Sequence, residues 1–241
     1  MLGLDPWVLM GCVAVVFVGS TVQATVGIGM GLIAAPLLVA ADPDFVPGAI
    51  LIAVVPLSVG VVAAEHGSVD WRGCGTALVG RVPGTVLGAI AVAAMSDRAL
   101  AVLIAGTVLA GVGASLAGVQ FDTTTRSLLV AGVASGFGGT ATGVGGPPMA
   151  LTFQRRDPAT LRSTLAVFFL AGSALSITTL IVTGEIDGRQ LRLALALGPG
   201  VIAGVLVARP LRRRLDPARI RGFVLALCAA AAVTLLVDTF A

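Results

Sequence analysis

The chain has 241 residues, of which 57% are hydrophobic and only 11% are charged, and its formal net charge is +3. Soluble domains carry about 25% charged residues, so this composition and the mean hydropathy of +1.04 exclude an ordinary soluble fold. They predict an all-α polytopic membrane protein whose surroundings are the lipid bilayer. All fifteen basic residues are arginine and gather between apolar segments, which is typical of loops that orient a membrane protein and not of a nucleic-acid surface.

The first apolar stretch, residues 7–41, is too long for one straight membrane span. Its 35 residues would reach about 50 Å as a helix, against a hydrocarbon core of about 30 Å. The only cluster of helix-weakening residues inside it is Gly27, Gly29 and Gly31. The sequence therefore predicts a break at these glycines, directly after the polar residues Gln23 and Thr25.

A second glycine-broken stretch, residues 128–153, follows half a chain later and contains Thr142-Gly143-Val144-Gly145-Gly146-Pro147-Pro148. Each broken stretch is followed by three predicted spans, at 47–64, 74–95 and 99–118 in the first half and at 161–182, 193–208 and 223–237 in the second. We expect Arg81 and Pro83 to interrupt the span at 74–95. A strongly basic loop is predicted at 209–221.

The two halves of the sequence form an internal repeat. Gly27 and Gly29 match Gly143 and Gly145 at an offset of 116 residues, and the same offset matches Gly84 with Gly200. We therefore expect a first repeat in residues 1–120 and a second repeat in residues 121–241, each with one broken element and three transmembrane helices.

The relative orientation of the repeats depends on whether a broken element crosses the membrane once or returns as a hairpin. The pieces on either side of Gly143 are about 15 and 11 residues long, too short to span singly, which favours hairpins and hence inverted repeats. Hairpins place eleven loop arginines on one side and three on the other, whereas single crossings give ten and four. Both arrangements put the basic side in the cytoplasm, so the arginines barely distinguish them.

The breaks themselves suggest a function. Backbone groups freed inside a membrane cost several kcal/mol unless protein or a wet cavity satisfies them, and in transporters with repeated halves such breaks bind substrate near the midplane. Their free N–H groups suit an anion. The predicted substrate-binding residues are Gln23, Thr25, Gly27, Gly29, Gly31, Arg81, Thr140, Thr142, Gly143, Gly145, Gly146 and Pro147. The alternative is that the glycines only permit close helix packing while the hydroxyls bond to their own backbone.

Arg81 is the only arginine deep inside an apolar segment. A buried charge in a membrane marks a pathway or binding site by default, and a guanidinium offers a planar fork of donors to an anion. The alternative is that Arg81 extends to the membrane surface along its aliphatic stem. The position that matches it in the second half is Leu197, so either role belongs to one half only.

The runs Gly27-Ile28-Gly29-Met30-Gly31-Leu32-Ile33-Ala34-Ala35-Pro36-Leu37 and Gly143-Val144-Gly145-Gly146-Pro147-Pro148-Met149 resemble the duplicated signature of the sulfite exporter TauE/SafE family. The resemblance implies a small bacterial inner-membrane carrier that moves sulfur-containing anions such as sulfite or sulfonates, mostly outward. It also implies that the two glycine runs form the substrate-site backbone. Met30 departs from the pattern, which predicts glycine between Gly29 and Gly31.

We therefore expect a secondary transporter for a small anion that needs no cofactor, because the chain has no lysine and no nucleotide-binding phosphate loop. A passive anion channel is the alternative. A purely structural or lipid-binding role is a further alternative, and an intramembrane hydrolase is a weaker one, since the sole histidine, His66, falls in a loop. The sequence leaves open whether a proton or sodium ion is coupled to transport and whether the protein is a homo-oligomer.

Overall fold

The structure is a computed structural model that describes residues 3–211 and 217–240, and within helix α10 it leaves the side chains of residues 217–221 and 223 undescribed. Much of the predicted basic loop at 209–221 therefore lies outside the described residues. The described chain is helical and without strands, which confirms the predicted all-α class. The helices are α1 (Pro6–Val26), α2 (Met30–Ala41), α3 (Gly48–Glu65), α4 (Trp71–Ala94), α5 (Asp97–Leu116), α6 (Thr125–Thr142), α7 (Gly146–Phe153), α8 (Pro158–Val182), α9 (Gly188–Leu211) and α10 (Pro217–Phe240).

Six helices in the described part of the chain are long and apolar enough to cross a membrane, namely α1, α3, α4, α5, α8 and α9. The chain is thus a multi-pass membrane protein. Helices α2 and α7, with 12 and 8 residues, would reach only about 18 and 12 Å. Each is too short to span a hydrocarbon core of about 30 Å, so each must pack as part of a broken element.

Both predicted breaks are present, and both depend on glycine. Gly27 ends α1 with a φ of +101°, and Gly143 ends α6 with a φ of +70°. Gly29, with a φ of +146°, then precedes α2. These left-handed conformations are costly for residues that carry a Cβ atom. The chain turns back after the first break, because a Cβ at Gly19 would lie 3.1 Å from the Cα of Met30.

The predicted interruption of the third element at Pro83 was wrong. Helix α4 runs without a break from Trp71 to Ala94 and carries Pro83 in its interior. Proline removes one N–H group from the helix, but Pro83 lies on an exposed face. Transmembrane helices tolerate such a residue when the freed carbonyl finds other partners.

Helix α4 packs along α6, and helix α9 packs along α1. A Cβ at Gly84 would overlap the carbonyl oxygen of Val133, and one at Gly204 would lie 2.7 Å from that of Phe17. Gly200, which the sequence offset of 116 pairs with Gly84, packs in the same way, since a Cβ there would lie 2.5 Å from the carbonyl oxygen of Val13. Glycine allows such close backbone approach between membrane helices.

Helices α3 and α8 lie side by side and run antiparallel. At one end Arg162, in the first turns of α8, donates two hydrogen bonds to Glu65 at the end of α3, at 2.8 and 3.0 Å. At the other end Gly48, which begins α3, lies against Ile186 and Gln190 beyond the end of α8. We call these the Arg162 end and the Gly48 end of the molecule.

Each broken element finishes beside the first turn of a long helix. Asp42, after α2, forms an ion pair with Arg189 of α9 at the Gly48 end. Arg156, after α7, lies 3.6 Å from Asp70, whose carboxylate caps α4 at the Arg162 end. Because α1 runs parallel to α9 and α6 runs parallel to α4, each broken element returns to the end from which it started.

The glycine contacts of α4 predict a specific stability effect. Gly84→Ala should lower the free energy of unfolding by about 1 to 3 kcal/mol, because the added methyl meets backbone that cannot move aside. Gly75→Ala is the matched control on the same helix, since a Cβ at Gly75 has nothing within 4 Å. Thermal unfolding in detergent should show a lower Tm for Gly84→Ala only. Equal Tm values for the two variants would contradict the packing described.

Candidate functional site

The two breaks touch each other. A Cβ at Gly31 would overlap the carbonyl oxygen of Gly143, and a Cβ at Gly146 would lie 3.3 Å from Cγ2 of Ile28. The start of α2 therefore lies directly against the end of α6. The freed backbone groups of both elements share one place inside the helix bundle.

A small cavity of about 30 Å³ lies at this junction. A water molecule needs about 10–15 Å³ measured in this way, so the cavity holds roughly two waters. Its walls come from both breaks and from α3, α4 and α8. The site is thus small in this conformation.

At the first break, Gln23 ends the hydrogen-bond ladder of α1 and satisfies one of the amides freed beyond it. Its carbonyl accepts from Gly27 N–H at 2.8 Å, and its side-chain Oε1 accepts from Met30 N–H at 3.0 Å. The group that Gln23 can still offer is its Nε2 donor. Gly31 and Leu32, in the first turn of α2, have N–H groups without an intrahelical acceptor. The cavity therefore borders the positive end of the α2 dipole.

The second break offers fewer donors. Ser135 Oγ donates to the carbonyl of Gly145 at 2.6 Å, which holds the break against α6. Pro147 and Pro148 fill the first turn of α7 and have no N–H group. The two halves of the site are therefore chemically different, and most of the free amide donors belong to α2.

Arg81 is buried in the middle of the bundle, with only 1% of its surface exposed. Its Nη1 donates to Ser135 Oγ at 3.2 Å, and its guanidinium lies 4.9 Å from the ring centroid of Phe168. A Cβ at Gly172 would overlap the guanidinium, so glycine is needed there to make room. The alternative in which Arg81 extends to the membrane surface was wrong.

The charge of Arg81 is only partly compensated. Its Nε has no hydrogen-bond partner. No carboxylate of the described residues lies within 4 Å of the guanidinium, and the ion pairs among those residues lie at the helix ends. A cation on an aromatic face gains about 2 kcal/mol when desolvated, whereas an arginine at a bilayer centre costs about 2.5 to 3.5 kcal/mol or more. The missing counter-charge makes this cavity suited to an anion.

Seven of the twelve predicted site residues line the cavity, namely Gln23, Gly29, Gly31, Arg81, Gly143, Gly145 and Gly146. The other five lie nearby. Thr25 and Thr142 donate to the carbonyls of Thr21 and Gly138 in their own helices, and Thr140 pairs with Ser176 at 2.7 Å. A Cβ at Gly27 would meet Leu161 and Arg162, and Pro147 faces two neighbouring hollows.

Sequence reasoning missed the contribution of α3 and α8. Leu51 and Val54 of α3 and Phe169 and Ser173 of α8 complete the lining. Ser173 is the polar member of this group and is 2% exposed. The sequences of both helices are those of ordinary apolar spans. The Gly172-Ser173 pair is the local signal that could have indicated a close approach of another element to α8.

The sequence model of the family described as sulfite exporter TauE/SafE matches residues 12–235. The chain belongs to the sulfite exporter TauE/SafE family. A relative from Cupriavidus necator, named as a probable sulfite/organosulfonate exporter TauE, is 27% identical over 226 residues, which cover 88% of each chain. No solved structure matches the chain. The family resemblance noted in the two glycine runs is thereby confirmed.

The contact between Gly172 and Arg81 gives a test of the site in this TauE/SafE protein. Gly172→Ala should displace the flexible guanidinium while leaving the fold intact, and so weaken binding of sulfite about tenfold or more, the value of a lost charged hydrogen bond. The loss of sulfite affinity can be measured by thermal unfolding, because an anion that binds the folded protein raises its Tm.

The matched control is Gly198→Ala, since a Cβ at Gly198 has nothing within 4 Å. It should keep the wild-type response to sulfite. A wild-type response in Gly172→Ala would show that the Arg81 position does not matter for binding.

Proposed function

We propose that this protein is a secondary carrier that exports a small sulfur-containing anion, sulfite or an organosulfonate, across the bacterial inner membrane. Membership of the TauE/SafE family and the name of the relative support the substrate class. The observation that carries the proposal is the buried guanidinium of Arg81, which borders the junction of two broken helices without a carboxylate partner among the described residues.

The proposed anion site combines hydrogen-bond donors with apolar side chains. Arg81, the Nε2 group of Gln23 and the free N–H groups at the start of α2 would bind the oxygens of the anion. Leu51 and Phe169 also line the cavity, and the carbon part of an organosulfonate would pack on them. A single fixed positive charge suits a small anion better than a polyanion.

We propose that the two repeats, residues 1–120 and 121–241, are inverted relative to one another. The antiparallel arrangement of α3 and α8 and the return of each broken element to its starting end support this. Arg72, Arg155 and Arg209 lie at or near helix termini at the Arg162 end, which we assign to the cytoplasm. Rocking of one repeat against the other would then expose the site alternately to each side.

A second cavity suggests the route that the substrate takes between the site and the cytoplasm. It measures about 130 Å³, extends to Gln154 and Leu161 near the Arg162 end, and shares Leu32 with the anion cavity. Ile28 and Pro147, one from each break, also line it. We propose that these apolar side chains close the cytoplasmic route in this conformation, and that their separation admits substrate.

The hydrolase alternative has little support. His66 is exposed in the short 3-10 helix His66–Ser68 that follows α3, and it is not part of the cavity lining. General-base activation of a nucleophile requires hydrogen-bonding distance. The position of His66 therefore favours the carrier over a His-dependent hydrolase.

Transport in vesicles of purified protein tests this function. Radiolabelled sulfite should enter with saturable kinetics and should enter faster when unlabelled sulfite is present on the opposite side. Arg81→Gln should lower kcat/KM about 10- to 100-fold, because a charged donor contributes about 1.5 to 3 kcal/mol. Arg72→Gln, at an exposed arginine of the same helix, is the control and should transport normally.

The outcomes separate the candidate functions. Flux that neither saturates nor responds to unlabelled sulfite on the opposite side would identify a passive channel. Absence of flux for sulfite and for several sulfonates would contradict the carrier function. Wild-type transport by Arg81→Gln would contradict the role assigned to Arg81.

A further inference from the structure

An apolar groove of about 640 Å³ lies between α5, α6 and α7, on the membrane-facing side of the second break. Its walls include Ala110 and Ala114 of α5, Val130 and Ala134 of α6, and Leu151 of α7. Val130 is 64% exposed, so the groove opens sideways. In a bilayer this opening faces the acyl chains of the lipids.

The groove lies beside the shorter of the two helices that follow a break. Helix α2 has 12 residues and packs against both α5 and α10, whereas α7 has 8 residues and is about 6 Å shorter. Pro147 of α7 reaches α5 at Gly111, where a Cβ would lie 2.7 Å from the proline ring. Beyond that contact the small side chains of α5 leave the space open.

One end of the groove carries an uncompensated charge. Arg126, in the first turn of α6, lines the groove and is exposed, and it forms no ion pair with the described carboxylates. The nearby carboxylate of Asp122 is paired with Arg155. Thr124 and Ser127 place hydroxyl groups at the same end. The groove is thus apolar along its length and positive at the Arg162 end of the molecule.

We propose that this groove binds an anionic phospholipid of the surrounding bilayer, with an acyl chain along α5 and α6 and the phosphate at Arg126. A long apolar channel that ends in a cation matches the two chemical parts of such a lipid. Basic pockets between membrane helices on the cytoplasmic side bind acidic headgroups, and each buried CH₂ group contributes about 0.8 kcal/mol. A zwitterionic lipid offers no net charge to Arg126.

The lipid would also support the second break. Pro147 and Gly138 line the groove, and the carbonyl of Gly138 accepts hydrogen bonds from Val144 N–H and Thr142 Oγ1. The anion cavity lies on the other face of the same segment, at Gly143 and Gly145. The acyl chain would thus hold α6 and α7 in place from the membrane side.

Lipid binding can be measured without any transport. Purified protein is titrated with phosphatidylglycerol or with phosphatidylcholine of the same acyl chains, and bound lipid is counted by native mass spectrometry. Wild type should bind phosphatidylglycerol about fivefold more tightly, as expected for about 1 kcal/mol per basic residue near a membrane surface. Arg126→Gln should remove this preference, and Ala134→Trp, which fills the groove, should remove both lipids.

Two matched controls keep the test specific. Arg72→Gln removes another exposed arginine, and Ala203→Trp adds the same bulk to an exposed alanine of α9 outside the groove. Both should bind lipid as wild type does. Ala134→Leu, a smaller filling residue, should show a partial loss if Ala134→Trp does not fold.

Three results would overturn the proposal. The first is equal affinity of wild type for both lipids, and the second is an equal loss in Arg126→Gln and Arg72→Gln. The third is a dimer that dissociates in Ala134→Trp, which would show that a second copy of the chain covers the groove.

Discussion

A guanidinium held inside a membrane protein without a matching carboxylate is the constraint around which this bundle is arranged. Ser135 and Phe168 bind parts of the Arg81 side chain, and Gly172 makes room for it. What those contacts lack is negative charge, and the adjoining cavity borders the amide-rich start of α2. The cost of burying Arg81 and the cost of breaking two helices would be offset by the same ligand.

The two halves of the site differ because their sequences diverge at the breaks. The first half has Met30 where the family pattern predicts glycine. The side chain of Met30 is fully buried, and its sulfur accepts a hydrogen bond from Ser20 Oγ at 3.7 Å. The second half places prolines at the start of α7, which removes N–H donors and shortens the helix. Donors therefore concentrate in the first half, and the groove proposed to hold lipid lies in the second.

Composition predicted the all-α membrane class, and glycine placement predicted the two breaks because the conformation of a glycine is a local property. Left-handed φ values at Gly27, Gly29 and Gly143 explain why the breaks occur at the glycine runs. The contributions of Phe168 and Ser173 were not predictable, since an apolar span surrounded by lipid and protein shows no periodic signal for the side that faces a site. Whether Pro83 interrupts α4 likewise depends on the surroundings of that helix, which the sequence alone does not place.

The most direct test of the central claim is to locate a bound anion beside Arg81. Selenite has the shape of sulfite and carries a heavy atom, so anomalous diffraction from crystals grown with selenite would locate its selenium. We expect a selenite oxygen at about 2.8 Å from a guanidinium nitrogen of Arg81, the distance of a charge-assisted hydrogen bond, with the start of α2 on its other side. Selenium bound elsewhere, with the Arg81 cavity unchanged and free of anion, would contradict the account.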